Sequence, residues 1–382
     1  MALYIWQTNS WPRFNWDSDR LLYPLGEARK AQGKILGLAD FFELEAQADV
    51  LTEEALATAA IEGERLNRAT VRSSVARRLG LPSAGLPATQ RHIEGLVDML
   101  IDATRNHADA LNAQRLKGWQ AALFPTGYSG ITKIITGDWR SGEEPMRVVS
   151  GRVGKETVHY EAPPAENVDG MMDEFLEWFQ TPQGKSDGLV RAAIAHFWFV
   201  SIHPFQDGNG RIARTIADMA LAQDEKTDCR MYSMSAQIEA ERSDYYDVLE
   251  QTQKGDGDIT EWVVWFLECL ERAIRRSDVE VYKATEKARM WQEIAHLNLN
   301  ARQRKAINRL FESGAGGFEG GLTNRKYVGM TRTSRETAKR DIADLVAKGV
   351  LMRNPGGGRS VSYRLLWQPK PDNTNSLELE NR

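Results

Sequence analysis

The chain has 382 residues, a formal net charge of −4, 42% hydrophobic and 27% charged residues, the balance of an ordinary soluble protein of two to three domains with ample chain for a core. Its two cysteines, Cys229 and Cys269, are too few and too far apart for a disulfide scaffold or a structural zinc site. No apolar run approaches the ~18 residues of a membrane span, and the opening Met1–Trp6 soon meets Asn, Pro and Arg, so no signal peptide, no membrane partner and a cytoplasmic location are expected.

Residues 4–16 are aromatic and broken by Pro12, an irregular segment pinned to a core by its tryptophans. From Asp17 to about Ala46 the apolar spacing turns helical, through Leu21, Leu22, Leu25, Ala28, Ile35 and Leu36. Residues 52–67 form a second helix rich in alanine and glutamate. In it Thr58 and Glu62, four apart, share a face, with Gly63 beside them allowing close approach. Spacing alone makes this an ordinary amphipathic helix. Residues 72–81 close an N-terminal unit with Gly80 as helix stop, and 82–87 read as a linker. Helices follow over about 90–112 and 116–123.

Between 137 and 164 short β-prone runs appear, and 146–151 can pair with 157–160 as a hairpin across 152–156. A lone two-stranded ribbon leaves one edge free, and a free edge recruits extended peptide by strand addition; the plainer reading is a surface hairpin. Helices are then expected over 171–180 and 184–202, with His196 a core histidine.

The densest chemistry lies in residues 202–214, Ile-His-Pro-Phe-Gln-Asp-Gly-Asn-Gly-Arg-Ile-Ala-Arg. Pro204 cannot extend the preceding helix, so His203 sits at a helix-to-loop break, where an imidazole suits proton abstraction near neutral pH. Asp207 is the hard oxygen ligand that Mg²⁺ uses together with waters and substrate phosphates. Gly208, Asn209 and Gly210 can turn successive N–H groups into an anion-binding nest that opens a new helix. Arg211 and Arg214, three apart on its first turns, can clamp phosphate oxygens.

A helix over 235–250 carries Tyr245 and Tyr246, which on spacing are most simply core, and 258–276 places Trp262, Trp265, Phe266 and Leu270 at core spacing. From Met290 to Trp367 there are 14 Lys and Arg against 6 Asp and Glu, in a chain that is otherwise acidic. Helices over 301–312, 322–328 and 333–345, followed by a ribbon of 350–351 and 361–364, follow the order of a winged helix-turn-helix. Arg332, Arg335, Lys339 and Arg359 would meet DNA phosphates. The alternative for this unit is a protein-interaction or homodimerisation module. The tail from 368 reads as disordered.

The 203–214 stretch resembles the signature of the Fic (Fic/Doc) family, His-x-Phe-x-Asp/Glu-Gly-Asn-Gly-Arg-x-x-Arg, matched at every fixed position. The resemblance implies transfer of AMP from ATP to a protein Ser, Thr or Tyr hydroxyl, with Mg²⁺ and release of pyrophosphate. His203 would take the hydroxyl proton, Asp207 would hold the metal, and residues 208–211 and Arg214 would cradle the phosphates. Thr58-x-x-x-Glu62-Gly63 matches the family's inhibitory motif, whose glutamate would pair with Arg214. The hairpin resembles the family's flap, which would hold a target protein or another copy of the chain itself, with Val148, Val149, Ser150 and Gly151 nearest ATP; Tyr245, Tyr246 and Gln253 would contact adenosine. The opening also resembles the small N-terminal domain of unknown function that precedes some bacterial Fic domains. The expected fold is mainly α, a Fic-like helical core with a β-hairpin flap and a C-terminal winged helix-turn-helix. Its expected divisions are 1–85 (inhibitory unit), 86–276 (catalytic domain), 277–367 (winged helix) and 368–382 (tail). Rival functions are AMP removal at the same site and DNA-binding regulation with the Fic core as sensor.

Overall fold

Residues 188–202 carry one charged side chain, Arg191, and are otherwise apolar on every side, which makes a helix that must be buried all round. In the structure, a computed structural model describing residues 4–39, 44–82, 87–152, 155–181, 186–312, 321–355 and 361–367, this stretch is α7 (Gly188–Ile202). It packs along α8 (Asn209–Glu225), and the short loop between them holds the 203–208 signature residues. The chain forms two compact units, Met1–Val281 and Tyr282–Arg382. Helix dominates both, with three two-stranded antiparallel ribbons among the described residues.

In the first unit, the N-terminal aromatics dock on α7 as the composition suggests. Trp11 and Phe14 meet Trp198 edge-on, and Asn15 bonds the 257–259 backbone. Asp17 caps α1 (Ser18–Leu36), accepting from Asp19 and Arg20 N–H. This helix ends ten residues short of Ala46. Gly33 and Gly37 weaken its last turn, and the chain restarts as α2 (Leu44–Ile61).

α2 begins and ends earlier than expected. The N–H groups of Glu62, Gly63 and Glu64 fold back on Ala59 and Ala60 carbonyls, with Gly63 in the left-handed region at φ 82°. Asn67 instead caps α3 (Arg68–Leu79), which Gly80 closes at φ 75°. α4 (Arg91–Arg105) and α5 (Ala113–Leu123) approach so closely that a Cβ on Gly95 would lie 1.9 Å from Ala122 O.

The ribbon β1 (Tyr128–Ser129) with β2 (Thr132–Lys133) had no signal in the residue pattern. The flap is β3 (Arg147–Arg152) with β4 (Lys155–Glu161). Its register shifts once: Val148 faces Tyr160 and Val149 faces Val158, so His159 has no partner across the ribbon. α6 (Val168–Gln180) precedes α7. The single helix expected over 235–250 is two, α9 (Met234–Ala240) and α10 (Arg242–Gln253). The break falls at Glu241, whose carboxylate is gripped by both arms of Arg272 on α11 (Thr260–Glu293). One core joins α1–α11, centred on Phe175, Phe197, Trp198, Trp262 and Phe266.

The second unit holds α12 (Ala301–Glu312), α13 (Asn324–Thr331), α14 (Arg335–Ala347) and the ribbon β5 (Leu351–Arg353) with β6 (Tyr363–Leu365). Asp341, buried on α14, accepts from Arg302, Tyr327 and Asn300, tying these elements over a core of Ile307, Leu310, Ile342 and Leu345. No helix among the described residues is long and apolar enough to cross a membrane.

Candidate active site

Proline at 204 ends α7, and His203 becomes its cap in the left-handed conformation (φ 52°, ψ 58°), where a residue with a Cβ is strained. Arg140 holds it there. This buried guanidinium donates to His203 O (2.8 Å), Pro163 O (2.5 Å) and Ile202 O (3.4 Å), while Arg140 N–H donates to Pro204 O. Among the described residues it has no carboxylate partner. His203 Nδ1 lies 3.3 Å from Val200 O; with the proton on Nδ1, the Nε2 lone pair is the free base. Burial, reinforced by the Arg140 charge, pushes the imidazole down to about 4, against the opposing pull of Val200 O, Glu62 and Asp207. His203 is therefore unprotonated at neutral pH, with Nε2 open to a proton.

The next residues build an anion cradle. Asn209 Oδ1 accepts from Phe205 N–H and its Nδ2 donates to Phe205 O, so this side chain braces the loop and leaves the backbone N–H as its contribution to the cradle. Gly208, at φ 92°, caps α8 without a side chain, and a Cβ there would press on Phe124 at 3.0 Å. The N–H groups of Asn209, Gly210 and Arg211 precede the first bond of the helix, Ile212 N–H to Gly208 O. Arg211 lies over the Phe124 ring with its Nε unpartnered; Arg214 is 3% exposed and its Nη1 makes no hydrogen bond among the described residues. Two buried guanidiniums with free donors beside open helix N–H groups are a receptor for phosphate oxygens.

The cradle is not open. Arg214 Nε donates to Thr58 Oγ1 (2.8 Å), and Nη2 donates to Thr58 O (3.0 Å) and Glu62 Oε1 (2.7 Å). Burial works against the Arg214 charge, and Glu62 together with Tyr245 and Tyr246 more than offsets it. The same Glu62 oxygen lies over the loop: a Cβ on Gly210 would sit 2.3 Å from it. Gly210, not Gly63, is thus the glycine that permits close approach; nothing lies within 4 Å of a Cβ at Gly63, which serves the left-handed turn. Glu64, which the residue pattern gave no reason to single out, lies 3.6 Å from Arg211.

Asp207 is partly exposed, accepting from Ser129 Oγ of β1 and from Gly208 N–H (2.5 Å), with Arg211 3.6 Å away. Among the described residues no group of three His, Cys, Asp or Glu could hold a metal by itself. One hard oxygen donor beside a phosphate cradle suits Mg²⁺ carried in on a nucleotide, which keeps waters and takes most ligands from phosphate.

The residues expected at adenosine divide. Tyr245 is core, 1% exposed, packed on Trp262 and Trp265 with its hydroxyl 3.1 Å from His196, so it cannot line an open cleft. Gln253 is buried too, donating to Ser201 Oγ (3.1 Å). Tyr246 is partly exposed and donates to Ile61 O, beside Glu62. On the flap, Val149 and Ser150 are exposed along β3, whose outer edge has no partner strand among the described residues. In the second unit Arg332, Arg335 and Lys339 are exposed; Arg359 lies outside the described residues.

Arg140→Met keeps the volume but removes the clamp. We expect the His203 imidazole pKa, followed by NMR, to rise from about 4 as the nearby charge is lost. Stability should fall by about 2 kcal/mol, because three carbonyls lose a charged donor. An unmoved pKa would show that Arg140 has no hold on His203.

A helical hairpin whose connecting loop presents a neutral histidine, one carboxylate and open helix N–H groups beside two arginines has the make-up of a nucleotide-phosphate site on a mainly helical scaffold. Residues 110–221 match the sequence model of the Fic/DOC family. Residues 4–81 match a domain of unknown function, DUF4172. The chain is 32% identical over 114 residues to "Protein adenylyltransferase Fic" of Nematostella vectensis, covering 29% of this chain and 25% of that one. It is also 32% identical over 105 residues to the protein of the same name from Drosophila mojavensis, covering 27% and 19%. It thus spans about a fifth to a quarter of the length of these relatives. A Fic family protein from Desulfovibrio desulfuricans shares the fold over 92% of this chain and 97% of its own (TM-score 0.55, 20% identity). A Fic domain containing signaling protein from Bacteroides thetaiotaomicron does so over 69% and 97% (TM-score 0.51, 18% identity).

Proposed function

We propose that this chain transfers AMP from ATP to a Ser, Thr or Tyr hydroxyl of a target protein, releasing pyrophosphate, and that the structure is its self-inhibited form. The observation that carries the reading is the Glu62 carboxylate lying on Arg214 and against Gly210, where a phosphate would otherwise sit. The relatives named protein adenylyltransferase support the reaction type.

His203 Nε2 takes the proton of the incoming hydroxyl as its oxygen bonds to the α-phosphorus, and the bond from that phosphorus to pyrophosphate breaks. The α8 N–H groups, Arg211 and Arg214 hold the phosphates and stabilise the leaving charge. Mg²⁺, held at Asp207 and the phosphates, would supply further charge neutralisation. A target segment adds to the open edge of β3, which fixes its hydroxyl by backbone pairing.

The test is incorporation of ATP labelled on its α-phosphate, with Mg²⁺, into wild-type, Glu62→Gly and Glu62→Gly/His203→Ala protein. Label in the single variant and its loss from target acceptors in the double variant is the expected pattern. ATP binding without transfer in any form, together with AMP release from a modified protein, would replace this reading by AMP removal, with Glu62 orienting water.

A second reading applies to the second unit, where Arg332, Arg335, Lys339 and Arg340 are exposed at the α13–α14 turn and along α14 and make no ion pair among the described residues. We infer a winged helix that binds DNA. Lys339→Ala should weaken binding alike across sequences and reduce the salt slope by about 1, measured by titration at several salt concentrations. Absence of any salt-dependent DNA affinity would point to a protein-contact module.

A further inference from the structure

The ribbon β1–β2 is short, yet it is fastened to the signature loop at two points. Its two-residue turn is Gly130–Ile131, with Gly130 in the left-handed region at φ 56°, and Ser129 pairs with Thr132 across it. A two-stranded ribbon is marginal alone, so its place has to be fixed from outside. The first fastening does this. Gln206 Oε1, next to Asp207 in the loop, accepts from Ile135 N–H (2.6 Å). Buried Gln120 of α5 backs it, donating to Ile135 O (3.3 Å) and accepting from Gly137 N–H (2.7 Å).

The second fastening is chemical in effect. Ser129 Oγ donates to Asp207 Oδ2, while Asp207 Oδ1 accepts from Gly208 N–H (2.5 Å). Both carboxylate oxygens are therefore held, and each keeps a further lone pair. The Asp207 side chain is 40% exposed, so those lone pairs are open to a hydrated cation. A rival sits nearby. Arg211, four residues on, has a guanidinium nitrogen 3.6 Å from Oδ1, and its buried Nε makes no hydrogen bond among the described residues. The last torsion of an aspartate is soft. Released by Ser129, the carboxylate would turn onto this guanidinium, tying up a cation ligand and a phosphate donor together.

We propose that Ser129 is a positioning residue, whose hydroxyl keeps the Asp207 carboxylate turned from Arg211 and available to a divalent cation arriving with the nucleotide. The inference rests on the AMP-transfer reading above, in which Asp207 holds Mg²⁺. Hydrogen bonds to a metal-binding carboxylate orient it, and losing one costs about 10–100-fold in metal affinity or activity. Because Ser129 acts through Asp207, the loss falls on the metal and not on the nucleotide's own contacts.

The experiment uses full-length Glu62→Gly protein and an ATP analogue with a methylene bridge between its α- and β-phosphates, which cannot give up AMP. Its dissociation constant is measured by calorimetry in EDTA and across a Mg²⁺ series. The Mg²⁺ needed for half-maximal AMP transfer from ATP is measured beside it. Ser129→Ala should leave binding in EDTA unchanged and raise both Mg²⁺ requirements by about 10–100-fold. Ser129→Thr, which keeps a hydroxyl at that place in the strand, should restore both. A Mg²⁺ requirement unmoved by Ser129→Ala overturns the inference and leaves AMP transfer standing. So does an equal weakening of binding in EDTA and in Mg²⁺, the mark of a merely structural residue. If the Glu62→Gly protein neither binds the analogue more tightly with Mg²⁺ nor transfers AMP, the transfer reading falls and this inference with it.

Discussion

Glu62→Gly is expected to raise the initial rate of AMP transfer roughly ten- to a hundredfold and to lower the thermal midpoint of the first unit. The two effects have one cause. Glu62 Oε1 accepts a charge-assisted hydrogen bond at 2.7 Å from a guanidinium that is 3% exposed, but its own side chain is 34% exposed. Such a bond is worth about 1.5–3 kcal/mol, and each 1.4 kcal/mol is a factor of ten in the affinity of a competing phosphate. Removing the carboxylate leaves Arg214 buried with only Thr58 as hydrogen-bond partner among the described residues, which costs stability until an anion replaces it. ATP should therefore raise the melting temperature of the variant more than that of the wild type. Calorimetry with and without ATP checks this. Equal ATP shifts and equal transfer rates in the two proteins would remove Glu62 from the cradle. Substituting Glu64, which is 3.6 Å from Arg211 and 40% exposed, should do the same more weakly.

His203→Ala should lower transfer to target hydroxyls by about 10²–10⁴-fold, the range of a positioned general base. The pH profile is the sharper test. Burial holds the His203 imidazole near 4, so the neutral form persists far below the usual 6.5. The kcat/KM profile should then stay flat from pH 8 to about 5 and fall only toward 4; an acid limb at 6.5 would exclude a buried base. Stability has a definite sign over the same window. The unfolded imidazole protonates near 6.5 and the folded one near 4, so between these values the unfolded chain binds more protons and stability rises with pH. His196, pushed down to about 3 by burial and by Arg214, adds in the same direction. Replacing His203 should flatten the stability curve between pH 4 and 6.5, measured by denaturant midpoints.

Much of the site was legible because its encoding is local. Pro204 stops α7, glycines at 208 and 210 start α8 without side chains over the loop, and Arg211 and Arg214 fall three apart on its first turns. The same locality made α12 readable to the residue and placed His196 in the core. The contact of Thr58 and Glu62 with Arg214 was less legible. Spacing made Thr58 and Glu62 an ordinary helix face, and only the motif's resemblance gave them a partner 152–156 residues away.

What the sequence by itself determined is the backbone chemistry of the loop: where helices stop, where N–H groups stand free, and which residue types surround them. Only the tertiary structure decided which side chains remain available for it. Tyr245 and Gln253, which only the resemblance put at adenosine, are consumed by core packing, Asn209 braces Phe205, and α10 starts anew because Arg272 grips Glu241. Arg140 reaches His203 across 63 residues, and Glu250 reaches His159 across 91. Such partners leave no mark in a window of sequence, because the free energy that pairs them comes from burying distant segments together, not from the propensities of either segment.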